Sequence, residues 1–436
     1  MFFVHIQKNP INRGFAELSE TNPRTNPINP SPIACPFLAC ASPPKSYILI
    51  PLSLLPVPFI YKNSLHLPQM KIGTIKESRA GENRVALSPD VVKSFIKQGF
   101  ECFVESGAGV ASNFSDAAYE SAGAKVLSSA AEVCNQVDVI VKVNAPNNEE
   151  TALMKEGTAL LSFVYHLSNP QLVESLNARK LSLFSMDAIP RISRAQSMDA
   201  LSSQANLAGY KAVLLGAHHS ARIFPMLMTA AGTITPAKVL IFGAGVAGLQ
   251  AIGTAKRLGA VVEVTDIRPE TKEQVESLGG KFISFDTGEV KIEGGYVKET
   301  SEDTLAKQRE ILGKHLAAAD VAITTALIPG KKAPVLITED MVKTMKLGSV
   351  IVDMAVEQGG NCEISEAGKV VVKHGVKIVG EMNLPSLLAQ NASEAYSKNI
   401  YAFLTHLATK DGFKWEMEEE ITKGTLIAKG GEILKK

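Results

Sequence analysis

From Met70 onward, short apolar runs alternate with stretches in which apolar residues recur at helical spacing. Met70–Ile75 reads as a strand. Ser88-Pro89-Asp90 opens a helix, with Ser88 at the N-cap, Pro89 at the first helical position, and Val91, Val92, Phe95 and Ile96 on one stripe. Phe100–Val104, Val137–Val143 and Leu160–Val164 read as further strands, Asp116–Ala124 as a helix and Ala205–Ala217 as a long helix. A second series follows Gly232, with strands expected at Lys238–Phe242, Val261–Thr265, Val321–Thr324, Val350–Asp353 and Lys377–Val379. Ala392–Thr409 is expected to form a helix that packs back on the first domain. Alternation of strands and helices is the mark of βαβ units. The expected fold is α/β: two Rossmann-like domains with parallel sheets and a cleft between them. The first would hold residues 70–201 plus 393–436, and the second residues 202–392.

Residues 1–69 break this pattern. They hold 12 of the 22 prolines and only Gly14 of the 33 glycines. Prolines recur too often for a helix or a central strand, and Pro51, Pro56 and Pro58 interrupt the apolar stretch Tyr47–Tyr61. That stretch is too short to span a bilayer and too far from Met1 for a signal peptide. With only Arg13 and Arg24, the segment is also unlike an Arg-rich transit peptide. It is expected to be disordered and non-native, with translation starting at Met70.

The 436 residues suffice for two or three domains, and 45 Lys+Arg against 44 Asp+Glu give a net charge of +1. That balance provides no long-range attraction to nucleic acid or an anionic membrane. Five cysteines without CxxC spacing argue against a disulfide framework or a structural zinc. No HExxH, Cys/His cluster or Walker A sequence occurs, so no metal is expected. The most apolar run, Val239–Ala255, is broken by Gly243, Gly245, Gly248 and Gly253.

Chemistry enters at Gly243-Ala-Gly245-Val246-Ala247-Gly248, a GxGxxG directly after an apolar strand and at the start of a helix. Gly243 permits the turn, Gly245 lets backbone approach a pyrophosphate, and Gly248 lets helix and strand pack closely. Asp266 ends the next strand, 18 residues beyond Gly248, where a carboxylate accepts from the adenosine ribose 2′-OH and repels a 2′-phosphate. This favours NAD over NADP, although Arg268 nearby is able to pair with a 2′-phosphate. A second turn, Gly107-Ala-Gly109, has Ser112 in place of the third glycine and no suitable acid, and reads as a tight loop.

The segment from Pro190 to Ser202 gathers Arg191, Gln196 and Asp199 before the long helix. Arg191 suits an anion or a nicotinamide carboxamide, and Gln196 suits orientation of a bound group. Asp199 or Ser202 suits either the carboxamide NH₂ or a helix cap. His166 at a strand end, Lys142 within an apolar strand and Arg84 are further candidates, while His218 and His219 read as helix-terminal caps.

Residues 70–436 resemble the family of alanine dehydrogenase and the NAD(H)-binding alpha subunit of proton-translocating NAD(P) transhydrogenase. The shared opening is Lys76-Glu-Ser-Arg-Ala-Gly-Glu-Asn-Arg84-Val-Ala-Leu-Ser-Pro. Pro190-Arg-Ile-Ser-Arg-Ala-Gln-Ser-Met-Asp199, Met228-Thr-Ala-Ala-Gly-Thr, Ala255-Lys-Arg-Leu-Gly-Ala and Thr325-Ala-Leu-Ile-Pro-Gly resemble the transhydrogenase branch. The resemblance implies a Re/Si-specific oxidoreductase and translocase subunit that exchanges hydride between its own NAD(H) and NADP(H) on a partner. It implies Arg191, Gln196 and Asp199 around the nicotinamide as the catalytic set, with Arg194 and Ser202 close by. Gly243, Gly245, Val246, Ala247 and Gly248 would lie at the pyrophosphate, and Asp266, Ile267 and Arg268 at the adenosine side, in favour of NAD. Gly295 and Tyr296 resemble a mobile loop that closes over the nucleotide, and Gln308 and Leu327 match further contact positions. A homodimer, a separate membrane subunit and a beta subunit carrying the NADP(H) domain would complete the assembly. The chain would then be cytoplasmic, held at the inner membrane through those partners, in the split form without C-terminal membrane helices. Within the same family, alanine dehydrogenase is the rival reading, with Arg84, Lys142 and His166 handling the substrate.

Overall fold

The computed structural model describes residues 69–284, 292–293, 296–297, 302–327 and 331–435, with side chains left out for 292–293, 296–297 and 302–308. The expectation for residues 1–69 therefore lies, apart from Gln69, outside the described residues.

Two sheets organise the chain. The first comprises β1 (Lys71–Thr74), β2 (Glu101–Glu105), β3 (Lys125–Leu127), β4 (Val139–Asn144), β5 (Ala159–Phe163) and β6 (Ser182–Ser185). The second comprises β7 (Lys238–Phe242), β8 (Val261–Thr265), β9 (Lys281–Phe282), β10 (Val321–Thr324), β11 (Val350–Asp353), β12 (Lys369–Lys373) and β13 (Val376–Gly380). Two late strands, β14 (Leu426–Lys429) and β15 (Glu432–Ile433), return to the first sheet beside β6. The first sheet runs β15-β14-β6-β5-β4-β1-β2-β3 and the second β9-β8-β7-β10-β11-β13-β12. Both contain the doubly wound order in which the first strand is flanked by the second and the fourth, which creates a crevice outside the strand ends at that reversal.

The sheets are not wholly parallel as expected. β14 and β15 pair antiparallel at one edge of the first sheet, and β12 pairs antiparallel with β13 at one edge of the second. A hairpin can add an edge strand without a crossover helix, so antiparallel pairing falls at the margins. Internal strands are buried on both faces. Along β4, Val139, Val141 and Val143 enter one core cluster and Ile140 the other. Along β7, Val239 and Ile241 divide from Leu240 and Phe242 in the same way. Each such side chain stabilises the fold by roughly 1.5–3 kcal/mol through burial.

One long helix joins these layers, and two more pack on them. α1 (Ala200–His219) starts five positions before the expected Ala205, because Asp199 caps it by accepting from the Ser202 N–H at 2.9 Å. Its first residue lies in the core of the first sheet, while Ala208, Ala212 and Val213 lie in that of the second. α2 (Val246–Arg257) follows β7. α3 (Ala389–Leu407) carries Tyr396, Ile400, Phe403 and Leu404 into the core of the first sheet. It ends two residues before the expected Thr409, because Ala408 and Thr409 pair with Phe413 and Gly412 in a hairpin.

The crevice of the first sheet, between β1 and β4, is filled by the chain's own charged groups. Lys142 lies 3.4 Å from Glu77 and 3.0 Å from Glu150, and also donates to the Lys76 carbonyl. Arg84 donates through Nε and a terminal nitrogen to the two oxygens of Glu82, at 2.8 and 2.6 Å, and further to Gln204 and Asn383. Asn144 and Asn383 also donate to Glu82. Burial pushes the Glu82 carboxyl up, but these donors outweigh it and hold it down at about 2. At Glu77, burial prevails over Lys142 and raises the carboxyl above its usual value.

Glu82→Gln leaves Arg84 buried without its charged partner, and should cost roughly 3–5 kcal/mol in denaturant titration. Because Glu82 is held below its unfolded value, its contribution is complete above about pH 4.5 and is lost as pH falls towards 2. The variant's stability should therefore depend less on pH in that window. An unchanged acid limb would show that Glu82 is not what the network rests on.

Candidate nucleotide site

The glycine turn lies at the crevice of the second sheet, between β7 and β10. Gly243 has φ +102°, in the left-handed region, and its N–H donates to the Thr265 carbonyl at 2.7 Å. A Cβ on Gly248 would stand 1.9 Å from the Gly243 carbonyl oxygen, so α2 and the turn touch through backbone. A Cβ on Gly245, the N-cap of α2, would meet nothing within 4 Å. Turn, contact and open face are thus divided among the three glycines as the motif requires, and the first-turn N–H groups of α2 present a positive dipole end beside Gly245.

Asp266 follows β8 and folds back on this turn. Its carboxylate accepts from the Ala244 N–H at 2.6 Å and from the Arg268 N–H, Nε and a terminal guanidinium nitrogen at 2.8–3.0 Å. Burial pushes its pKa up, and the Arg268 and backbone donors outweigh that and lower it. Sequence reading reserved Asp266 for a ribose; in the structure its carboxylate holds the glycine turn and orients Arg268. Val246, Ile267 and Leu327 lie on the segments that follow adjacent strands β7, β8 and β10, and all three are exposed apolar side chains about two-fifths accessible. Together with the half-buried Ala247 they make an apolar rim around the turn.

Behind the rim stand residues that sequence reading missed. Thr325 Oγ1 donates to the Phe242 carbonyl at 3.0 Å. Asn361 is fully buried; its Oδ1 accepts from the Ala326 N–H, and its Nδ2 donates to the Ala326 and Pro334 carbonyls. Asp353, at the end of β11, accepts from Thr324, the N–H groups of Ala355, Asn361 and Cys362, and Ser365. An acid ending an apolar strand, followed by Gly359-Gly360-Asn361, was the available signal. Gly209 was also missed: a Cβ there would lie 2.1 Å from the Ala247 carbonyl oxygen, so α1 crosses the first turn of α2 by backbone contact.

The Arg191–Asp199 segment lies just before α1, with Ser193–Met198 in a 3-10 turn and Ala195 and Met198 buried. Arg191 and Gln196 are exposed and make no side-chain hydrogen bond among the described residues. Arg194 turns towards the helix Glu420–Thr425 and pairs with Glu419 at 2.8 Å and Glu420 at 3.4 Å. Asp199 and Ser202 serve as a cap, with Ser202 Oγ 2.6 Å from the carboxylate. Gly295 lies outside the described residues. Tyr296 and Gln308 are described only as backbone, in the strand Tyr296–Val297 and the helix Glu302–Ala318, and their side chains lie outside the description.

The groups of the rival reading are differently disposed. Arg84 and Lys142 are committed to the network described above. His166 stands beyond the end of β5, not on it; its Nδ1 is buried without a partner among the described residues, and burial lowers its pKa despite nearby Asp187. Gly107 donates its N–H to Asp116, and a Cβ on Gly109 would stand 2.6 Å from the Tyr119 ring, which makes that second turn a packed loop.

Gly248→Ala places a methyl group against a carbonyl oxygen that cannot retreat, and should destabilise the second sheet by about 1–3 kcal/mol or more. Gly245→Ala, with open space around it, should leave the thermal midpoint unchanged. Equal midpoints for the two variants would contradict this division of roles.

Two family profiles match the chain: "Alanine dehydrogenase/PNT, N-terminal domain" over residues 73–208 and "Alanine dehydrogenase/PNT, C-terminal domain" over residues 212–436. The chain is 55% identical over 375 residues to an NAD(P) transhydrogenase subunit alpha protein of Rhodospirillum rubrum, covering 84% of this chain and 98% of that one. An alanine dehydrogenase of Methanococcus maripaludis is more distant, at 30% identity over 79% of this chain and 89% of its own. Among solved structures, transhydrogenase from Sinorhizobium meliloti superposes with a TM-score of 0.73 at 44% identity, covering 84% of this chain and 99% of that one. An L-alanine dehydrogenase superposes at 0.70 with 27% identity, covering 84% and 97%. With its glycine turn at the crevice of a doubly wound sheet and both halves matched, the chain belongs to the alanine dehydrogenase/pyridine nucleotide transhydrogenase family.

Proposed function

We propose that this chain is the NAD(H)-binding alpha subunit of a proton-translocating, Re/Si-specific NAD(P) transhydrogenase. The observation that carries the reading is the contrast between the two crevices. That of the second sheet presents an open glycine face with an apolar rim, whereas that of the first is filled by Glu77, Glu82, Arg84 and Lys142. With one open dinucleotide crevice among the described residues, the second nucleotide, NADP(H), is assigned to a partner, the beta subunit. The closer resemblance to transhydrogenase alpha subunits than to alanine dehydrogenases supports the same choice.

The residues fit NAD(H). The open side of Gly245 leaves room for a pyrophosphate beside the start of α2, and Asp266 disfavours a 2′-phosphate while Val246, Ile267 and Leu327 flank the nucleotide. Bound nicotinamide supplies the carbon that gives or takes hydride. Arg191 and Gln196, unspent on partners among the described residues, orient the ring and its carboxamide, and Asp199 fixes the start of α1 beneath them. Direct exchange between two rings asks mainly for positioning and for no protein acid or base. Tyr296 and Gln308 complete the nucleotide contacts in this reading.

Among the described residues no helix is long and apolar enough to cross a membrane. We assign proton translocation to a membrane subunit, with this chain bound peripherally at the inner membrane through it. A second copy is the remaining partner. The hairpin Leu227–Thr229/Gly232–Ile234 exposes Met226, Leu227, Met228 and Ile234, the third at 83% accessibility, a cluster suited to burial in a homodimer.

NADH should bind far more tightly than NADPH in a fluorescence titration, and Asp266→Ala should narrow the gap; equal wild-type affinities would reject the site. In single-turnover transfer to a recombinant NADP(H)-binding partner, Gln196→Asn should lose at least roughly tenfold in rate with little change in NADH affinity. His166→Ala should cost little. Alanine oxidation by the chain alone, abolished by His166→Ala, would instead establish an alanine dehydrogenase. Sedimentation at working concentration should show a dimer, and a monomer there would contradict that aspect of the reading.

A further inference from the structure

The backbone that presents Gln196 is held from outside its own segment by a side chain on α3. Asn399 lies on the side of α3 that packs against the Ser193–Met198 turn, and only 7% of it is exposed. Its Nδ2 donates to the Ser197 carbonyl at 2.8 Å, and its Oδ1 accepts from Ser203 Oγ at 2.7 Å. A carbonyl needs a donor, so only one orientation of the amide satisfies Ser197; Ser203 then supplies the proton for Oδ1. Asn399 thus joins the residue after Gln196 to the first turn of α1.

The other restraints do not replace it. Ala195 and Met198 are buried apolar anchors that fix the depth of the turn but not its rotation. Arg194 is half exposed, and its pair with Glu419 fixes its own side chain, two positions before Gln196, not the Ser197 carbonyl. The Asp199 cap secures the start of α1, three positions beyond Gln196. Among the described side chains, only the Asn399 amide, itself buried, bonds to a carbonyl adjacent to Gln196. A hydrogen bond of this kind is directional, and losing its donor removes the carbonyl's protein partner.

We propose that Asn399 is a positioning residue for hydride transfer: through the Ser197 carbonyl it fixes the direction in which Gln196 and Arg191 project. The proposal rests on the transhydrogenase reading above. Asn399→Asp tests it most sharply, because it preserves volume, keeps an acceptor for Ser203 and turns an oxygen towards the Ser197 carbonyl. Ser203→Ala is the companion, since it removes the other partner and leaves the Nδ2 bond intact.

The measurements use the full chain with a recombinant NADP(H)-binding partner: single-turnover transfer rate, NADH affinity by fluorescence, and hydrogen exchange of residues 190–199 by mass spectrometry. Asn399→Asp should slow transfer by roughly tenfold or more while NADH affinity stays within about twofold, and exchange in 190–199 should accelerate. Ser203→Ala should stay within about threefold of the wild-type rate. An unchanged rate, an unchanged exchange profile, or rate and affinity falling together with the thermal midpoint would each overturn the proposal. If the wild-type chain transfers no hydride to the partner, the transhydrogenase reading fails. The exchange profile then still decides whether Asn399 holds the segment.

Discussion

The backbone contact between α1 and α2 at Gly209 is the constraint on which the geometry of the site depends. With the position of a Cβ on Gly209 only 2.1 Å from the Ala247 carbonyl oxygen, the two helices meet closer than any side chain would allow. α2 begins at the glycine turn, and α1 begins at the Arg191–Asp199 segment. Ten residues of helix separate Asp199 from Gly209, about 15 Å at 1.5 Å per residue. One contact between rigid helices therefore sets the spacing between the glycine turn and the polar segment. The small face of α1, with Ala208, Ala212 and Gly216, lets the helix lie flat enough to keep that spacing.

The two sheets share a winding order yet use it differently. At the first crevice, five charged side chains, Glu77, Glu82, Arg84, Lys142 and Glu150, pair with one another and with amide partners in a buried network, which a chain can tolerate only when every partner is present. The network also ties the sheets together: Arg84 reaches Gln204 on α1 and Asn383 beyond β13, and the Asn83 N–H reaches Ser386 at 2.7 Å. At the second crevice the polar groups face inward, towards the turn itself. Asp266 secures Ala244, and Asn361 secures Ala326, so the loops are braced from behind while the apolar rim stays exposed. A mutual brace of this sort pre-organises the site without filling it.

β1, β2, β4 and β5 of the first sheet and β7, β8, β10, β11 and β13 of the second were legible because a doubly wound sheet writes short apolar runs between turns. The glycine turn was legible because each glycine answers a distinct steric demand. β3, β9 and β15 were missed because two or three residues carry no periodicity, and β6 because serines flank its two apolar residues; β12 and β14 join their sheets by antiparallel pairing, outside the βαβ alternation. Asn361, Gly209 and Asn399 were missed for another reason. Each acts on a segment more than 30 residues away in sequence, and nothing local marks an asparagine or glycine as the partner of a distant carbonyl. Asp199 was half legible: its position before a helix offered capping or ligand contact, and the structure shows the cap.

The polar segment combines a fixed backbone with uncommitted side chains. Asp199 anchors its end into α1, Asn399 holds the middle from α3, and Arg194 reaches Glu419, which also accepts from Thr422 and lies 3.2 Å from His406. At Glu419 burial acts to raise the carboxyl, but the backbone donors and His406 prevail and keep it at about 2, so it stays charged opposite Arg194 through the neutral range. Each tether comes from a different element, so no single local fluctuation releases the segment. Arg191 and Gln196 stand on this braced frame without side-chain partners among the described residues. A side chain whose hydrogen bonds were already satisfied would have to break them before orienting a ligand. Holding the backbone while leaving these two groups unspent therefore suits a reaction whose barrier is lowered by placement.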